Sequence, residues 1–200
     1  MGRDSSPGRE DVLRALRAAK VPPHPLPDSA FVGVQYPDAH AQFAKSVSDV
    51  GGKCVFVNDS NIELALSKLP EYVAAKRVLS LVSGVGKANV DPARTSEPGE
   101  LSDVDFCVLP GQLGVAENGA VWVAEGGFPY RAGWFLAQHM ALVVASGTIV
   151  HNMHEAYDRL QVGSPGFATF IAGPSKTADI EQSLVIGAQG PRSCTVLVVG

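Results

Sequence analysis

The sequence predicts an α/β fold built around a mostly parallel β-sheet. Short apolar runs such as 104–109 and 195–199 alternate along the chain with segments that have helical spacing. These runs are apolar throughout and lack the inside–outside alternation of a half-exposed sheet, which indicates strands covered on both faces. Helices supply such cover in α/β proteins. Neither an internal repeat nor a low-complexity tract interrupts the pattern.

Local signals place each element in order. Ser6-Pro7 followed by acidic residues begins a first helix, which the proline-rich run 21–27 ends. Tyr36-Pro37-Asp38 begins a second helix, which ends at Gly51-Gly52. The remaining predicted elements are strands at 53–57, 77–82, 104–109, 120–124, 141–145, 167–172 and 195–199, helices at 60–69 and 150–160, and a long loop at 83–102.

This pattern predicts two parts of unequal size. We expect residues 1–27 to form a helical arm with a proline-rich linker and residues 28–200 to form a single α/β domain. A chain of 200 residues is long enough for one domain with a substantial core.

Composition excludes several classes of function. The net charge is −4 and no face rich in lysine and arginine is visible, which argues against nucleic-acid binding. No apolar run has the length of a membrane span, and the polar start 1–11 is unlike a secretory signal, so we expect a soluble cytoplasmic protein. The three cysteines stand alone in apolar runs, without zinc or iron–sulfur spacing, which predicts buried reduced thiols and no metal site.

The stretch 173–192 is the first candidate site. A glycine turn after the apolar run 167–172 precedes a predicted helix, with Ser175 or Thr177 as its N-cap. Backbone N–H groups at such a turn suit a phosphate or carboxylate, and Lys176 adds a positive charge. An ordinary capped turn explains the same residues without any ligand. The candidate anion-binding residues here are Gly173, Pro174, Ser175, Lys176, Thr177, Asp179, Glu181, Gln189, Gly190 and Arg192.

Three further groups carry candidate chemistry. Glu117-Asn118-Gly119 is typical of a tight turn, and it also places a carboxylate on a loop, where Glu117 could contact a ligand and Asn118 and Gly119 are candidate ligand-binding residues. Gly84 and Gly86 follow a predicted strand, as in a phosphate-binding loop, but they lack the spacing of known nucleotide motifs and suit a plain loop equally well. His151 and His154 share a helical face without a visible third metal ligand. His154 or His139 remains an alternative general base.

Several of these motifs together resemble the LUD domain family. The segments that match, in family order, are 101–106, Gly114-Val115-Ala116-Glu117-Asn118-Gly119-Ala120, 173–181 and 187–192. The resemblance implies a three-layer α/β/α domain like those of the NagB, RpiA and CoA-transferase group. It also implies a role in lactate utilization, the oxidation of L-lactate to pyruvate together with iron–sulfur partner subunits. This chain would then be an accessory or small-anion-binding subunit without a cofactor of its own, and a small carboxylate or phosphate would be its ligand.

The same resemblance leaves an enzymatic alternative open. Residues 116–119 are similar to the Ser-Glu-Asn-Gly signature of class I CoA transferases, whose glutamate attacks an acyl-CoA. Glu117 would be the catalytic residue of a stand-alone CoA-transferase-like or sugar-phosphate enzyme, with Gly84 and Gly86 stabilising the oxyanion. Ala116 stands where the transferases have serine. Many family members have histidine in place of Gln189, and glutamine does not shuttle a proton at neutral pH, which favours binding over proton transfer.

Overall fold

The structure, a computed structural model, describes residues 8–19, 24–25, 33–58, 61–124, 130–160, 166–178 and 184–200. Contacts divide the chain into two units, Met1–Val32 and Gly33–Gly200. In the first unit the structure describes helix α1 (Arg9–Ala18), whose first turn carries Glu10 and Asp11. The predicted boundary between residues 27 and 28 lies outside the described residues.

A central sheet of five parallel strands organises the second unit. In spatial order its strands are β1 (Lys53–Val57), β11 (Ser193–Val199), β6 (His139–Ala145), β3 (Phe106–Gly111) and β2 (Val78–Ser80). Among the described residues, five helices accompany it: α2 (Ala39–Asp49), α3 (Ile62–Leu66), α4 (Pro70–Ala74), α5 (Ala132–Leu136) and α6 (Met153–Arg159). The predicted α/β fold with a mostly parallel, covered sheet is therefore confirmed.

The structure describes two smaller sheets beside the central one. The larger has the spatial order β7 (Ile149–Val150), β4 (Leu113–Val115), β5 (Ala120–Ala124) and β8 (Ala168–Ile171). The smaller is an antiparallel hairpin of β9 (Lys176–Ala178) and β10 (Leu184–Ile186). Strands β5 and β8 are predicted from the sequence, whereas β4 and β7, which are only three and two residues long, are not.

Alternate side chains of the central strands enter two separate cores. On one face Phe106, Val108 and Leu197 pack against α3 and α4. On the opposite face Cys107, Leu109 and Val196 pack with buried residues of α2 and β5. A third apolar cluster fills the space between α6 and the outer face of the second sheet. Strands apolar on both faces therefore have cover on both sides, as their composition predicts.

The prediction of a helix after the turn at Gly173 is wrong. Lys176–Ala178 is a strand that pairs antiparallel with Leu184–Ile186, and residues 179–183, including Asp179 and Glu181, lie outside the described residues. Backbone bonds outweigh the capping signal here, because Ser175 N–H donates to Pro191 O (2.8 Å) and Gly187 N–H donates to Ser175 O (2.9 Å). The β-branched residues Thr177, Val185 and Ile186 also favour extended backbone.

Candidate functional site

A cleft of about 300 Å³ lies where the chain leaves β8 and enters β9. We call it the C-terminal cleft. Six residues that the sequence predicted as anion-binding line it, namely Gly173, Pro174, Ser175, Lys176, Gln189 and Gly190. The remaining walls come from residues to which the sequence analysis gave no role: Phe135, Met140, Thr169, Phe170, Ile171, Ala172 and Pro191. Pro191 lies in the matched segment 187–192, whereas the others are ordinary core and strand residues that no motif could have identified.

The geometry of Gly173 brings this segment close to the end of α2. Its φ is +73°, and a Cβ atom at this position would lie 2.5 Å from Val50 O. Both the left-handed backbone and the close approach therefore require glycine. The predicted turn residue thus has a packing role, which is to let the wall of the cleft pass the helix end.

Lys176 links the cleft to the same helix end. Its ammonium group donates to Val50 O, at the C-terminus of α2, where a positive charge complements the helix dipole. An ammonium group has three donors, so this bond leaves donor capacity for a ligand. The side chains of Ser175 and Gln189 add hydroxyl and amide groups to the same cleft. One cation, two neutral polar groups and apolar walls are a combination that suits a small carboxylate.

Two other predicted residues lie outside the lining of this cleft. Thr177 is in β9, and its hydroxyl lies within hydrogen-bonding reach of Val185 O (3.4 Å). Arg192 is exposed, and its backbone N–H donates to Gln138 O (2.7 Å). Gly187, with φ of +81°, turns the chain so closely past Arg192 that a Cβ there would lie 2.4 Å from Arg192 Cγ.

The predicted turn at 116–119 connects β4 and β5. Asn118 Oδ1 accepts from Ala120 N–H (3.0 Å), which is the local bond expected of an asparagine in a turn. Gly119 has φ of +69°, and a Cβ there would lie 2.6 Å from Val47 N in α2. Ser46, one residue earlier in α2, donates to Ala116 O (2.7 Å). This turn is therefore held tightly against α2.

Glu117 caps a helix. Its side chain is exposed, and Oε2 accepts from the backbone N–H of Met153 (3.0 Å), the first residue of α6. Its own N–H donates to His151 O (3.0 Å). A carboxylate at a helix N-terminus satisfies a free backbone donor and interacts favourably with the dipole. These contacts give Glu117 a structural role, and its predicted catalytic role stays a prediction.

A polar cluster surrounds this helix start. Asn152 is almost fully buried, accepts from Glu155 N–H (3.0 Å) and donates to Val34 O (3.0 Å). His151 Nδ1 accepts from Tyr36 N–H (3.0 Å). Burial acts to raise the pKa of Glu155. Hydrogen bonds from Gln35 and His151 N–H, with the charges nearby, outweigh burial and hold that pKa below its ordinary value.

The glycine loop at 83–87 is hydrogen-bonded to an acidic side chain of the same protein. Gly86 N–H donates to Glu63 Oε2 (3.0 Å), and Tyr72 OH donates to the same carboxylate (3.1 Å to Oε1). Burial, followed by the effect of Glu63, raises the pKa of Tyr72 to about 12. Lys87 donates to Tyr72 O (2.9 Å) and to Val73 O (2.6 Å). Gly86 N–H, predicted to face a ligand, therefore faces Glu63.

The two glycine elements of the predicted transferase site lie on opposite faces of the central sheet. Val85 belongs to the core shared with α3 and α4, whereas Ala116 belongs to the core shared with α2 and β5. Glu117 is likewise absent from the residues that line the C-terminal cleft. The cleft that Gly86 lines is formed with Glu63, Tyr72 and Lys87, and Glu117 is not among its lining residues.

His139, the alternative general base, lies at the amino end of β6. Its Nδ1 is 2.8 Å from Ser193 Oγ in the neighbouring strand β11. His154, the other alternative, is exposed on α6. Within the part of the chain that the structure describes, no helix is both long enough and apolar enough to cross a membrane.

Comparison with known proteins gives consistent matches. A model of the LUD domain family matches residues 90–199. Lactate utilization protein C of Geobacillus kaustophilus is 30% identical over 167 residues, 78% of this chain and 66% of that protein. Its counterpart in Geobacillus thermodenitrificans is 26% identical and covers 96% of this chain and 79% of that protein. The counterpart in Geobacillus sp. WCH70 is 32% identical over 124 residues, and the match spans about half of that relative, 48%.

A solved structure has the same fold. The crystal structure of a DUF162 family protein from Deinococcus radiodurans matches with a TM-score of 0.62 and covers 84% of this chain and all of that chain. The two sequences are 18% identical, so the likeness concerns the fold.

Proposed function

Because this chain belongs to the LUD domain family and its curated relatives are named for lactate utilization, we propose that it serves the oxidation of L-lactate to pyruvate. In this proposal it is a subunit without its own redox cofactor and acts beside iron–sulfur partner subunits. Its contribution is to hold a small carboxylate in the C-terminal cleft.

The state of the cysteines supports placing the iron–sulfur clusters on partners. Cys107 and Cys194 are buried in the central core, and Cys54 is partly buried in β1. Burial raises the pKa of Cys194 to about 12 and that of Cys54 to about 11, and it raises the pKa of Cys107 further. Thiolates are the form that ligates iron, so these thiols are poor cluster ligands.

The observation that carries the carboxylate proposal is the convergence of six predicted residues on one cleft. They come from two separate segments, 173–176 and 189–190, and share the cleft with apolar residues that include Phe135, Met140 and Phe170. Lys176 would attract the carboxylate, while Ser175 and Gln189 would orient it. Gln189 does not titrate near neutral pH, which favours holding the anion over transferring a proton.

A thermal-shift titration tests the carboxylate proposal. Sodium L-lactate should raise the Tm of the protein by a few degrees, since binding to the folded state stabilises it. In Lys176→Met the shift should be lost, measured against that variant's own Tm because the lysine also caps α2. The control variant Lys45→Met removes a lysine that belongs to α2 and lies outside the cleft, and this variant should show the full shift. An equal shift with sodium chloride at the same ionic strength would contradict the proposal.

Purification and growth test the partner proposal separately. The tagged chain, isolated from its own organism grown on L-lactate, should bring down proteins that contain iron and acid-labile sulfide. Deletion of the gene should slow growth on L-lactate, and the wild-type gene should restore it. Growth on L-lactate that is unaffected by the deletion, with no iron–sulfur protein recovered, would argue against the role.

A further inference from the structure

The two edge strands of the central sheet differ in whether the backbone groups on their outer sides have hydrogen-bond partners. At one edge, β2 is covered by its own chain, because Asn89 and Val90 N–H groups donate to Val78 O (3.0 and 3.1 Å). Asn89 Oδ1 also accepts from Val78 N–H (2.8 Å), and Val90 forms a bridge with Leu79. Backbone groups on the outer side of β2 therefore have partners within the chain.

At the other edge, β1 pairs only with β11 among the described residues. Backbone N–H and C=O groups along the outer side of an edge strand form a template on which another strand can pair. Natural proteins usually block such edges with bulges, prolines or charges. In β1 a charged residue stands at the first position alone, which is Lys53. The rest of the strand has neither a charge nor a proline, and consists of Cys54, Val55, Phe56 and Val57.

A cleft of about 450 Å³ lies between this edge and α3. Phe56 and Leu64 are large apolar side chains that remain 51% and 55% exposed there. We call this area the β1 edge surface. Its lining residues are Lys53, Val55, Phe56, Val57, Asn58, Asn61, Leu64, Ala65, Lys68 and Leu69.

The charge of the β1 edge surface indicates which kind of partner it would bind. Lys53 and Lys68 line it, and the described lining contains no acidic side chain, although the whole chain has a net charge of −4. A second copy of this chain would bring the same positive surface against itself. The Phe56 side chain lies on the α2 face of the sheet, where its ring approaches His40, whereas the α3 side of the cleft carries Leu64. An acidic segment would complement the charge of the lysines on the α3 face, and the apolar residues that alternate with its acids would meet Phe56 on the opposite face.

We propose that the β1 edge surface binds an extended acidic segment of a partner protein, which adds to the central sheet as a strand beside β1. Main-chain hydrogen bonds would supply much of the affinity, and Phe56 on one face with the two lysines on the other would supply the selectivity. This proposal does not depend on the lactate role, because it rests on the edge, its exposure and its charge.

A labelled peptide tests the surface on the full chain. A short fluorescein peptide in which glutamate and valine alternate should bind, with an anisotropy titration that saturates below about 1 mM. The charge-reversed peptide, with lysine in place of glutamate, should bind at least about tenfold more weakly. The double variant Lys53→Glu/Lys68→Glu should reverse this preference. The matched variant Lys76→Glu, which changes an exposed lysine near β2, should keep the affinity within about twofold.

Hydrogen exchange tells strand addition from loose ionic attraction. The bound acidic peptide should slow amide exchange within Lys53–Val57 and leave Val78–Ser80 unchanged. Binding without protection of β1, or failure of the acidic peptide to bind, would overturn the proposal. The proposal would also be overturned if the protein sedimented as a dimer and its β1 amides exchanged faster on dilution. The occupant of the surface would then be a second copy of the chain.

Discussion

The Glu117 turn and the C-terminal cleft are built alike but present their polar groups differently. Both have a glycine with positive φ pressed against α2, Gly119 at Val47 and Gly173 at Val50, about one turn of the helix apart. In the turn, the side-chain oxygens of Glu117 and Asn118 accept backbone N–H groups of this chain. In the cleft, polar side chains from two segments line a shared cavity beside apolar walls.

This difference shows what a glycine-bearing motif does and does not predict. At both places the glycine is needed for close packing, which gives no information about a ligand. What separates the two places is where the neighbouring polar side chains point, and that depends on contacts with α2, α6 and β8 that are distant in sequence. A motif of the same kind therefore gives a structural turn in one place and a cavity wall in the other.

The largest effect is expected from replacing either of the two glycines with alanine. Each substitution adds the cost of a left-handed residue, roughly 1–2 kcal/mol, to an overlap with the backbone of α2 that costs a similar amount. Gly119→Ala and Gly173→Ala should each lower the free energy of unfolding by about 3 kcal/mol, measured by urea denaturation. The Cβ positions lie 2.6 Å from Val47 N and 2.5 Å from Val50 O, respectively.

Gly84→Ala is the matched control. Gly84 has a φ of +80°, yet an added Cβ there meets no atom within 4 Å, so this substitution tests the backbone cost alone. It should cost about 1 kcal/mol. Equal losses at all three positions would mean that packing against α2 contributes nothing, and the likeness between the turn and the cleft would no longer hold.

Much of this frame can be predicted from the sequence, because apolar runs and capping residues act locally. Asp38 caps α2 as its position predicts, accepting from His40 and Ala41 N–H, and Ala120–Ala124 is a strand with the predicted bounds. The hairpin at Lys176–Ala178 could not be predicted in the same way. Its capping residues were misleading because the decisive bond joins Ser175 to Pro191, sixteen residues further along the chain.

The candidate site is less predictable than the fold for a related reason. Phe135, Met140 and Phe170 have the sequence character of ordinary core residues, and only the packed structure makes them walls of a cavity. Glu63 likewise belongs to no motif, yet its carboxylate accepts a hydrogen bond from the N–H of Gly86, which lies 23 residues further along the chain. Long-range contacts decide both outcomes.

Removing the amide of Asn152 should have the next largest effect. This buried side chain caps α6 and also donates to Val34 O, so alanine removes both the cap and a second hydrogen bond. Asn152→Ala should lower the free energy of unfolding by about 2–3 kcal/mol. Asp38→Ala removes an exposed cap from α2 and should cost only about 1 kcal/mol. Equal losses would show that burial adds nothing at the start of α6.

A change in pH should act on the region of the Glu117 turn through Glu155. Its pKa is held below the ordinary value in the folded protein, so ionised Glu155 stabilises the fold above its unfolded pKa. That contribution is lost as the pH falls through the folded pKa. Glu155→Gln should therefore be less stable than the parent at pH 7, and the two should converge in acid as the pH falls below the folded pKa of Glu155. Urea denaturation across this range measures the difference, and a gap that stays constant with pH would contradict the assignment.

The smallest effect is expected at Glu117 itself. Glutamine keeps an acceptor for Met153 N–H and loses only the charge at the start of α6, so Glu117→Gln should cost about 0.3–1 kcal/mol. If Glu117 were instead a transferase nucleophile, incubation with acyl-CoA esters would add an acyl mass to the parent and none to the variant. We expect no adduct on either protein, because the predicted oxyanion donors lie across the central sheet from Glu117. A mass shift confined to the parent would remove the distinction between the two regions and make the turn an active site.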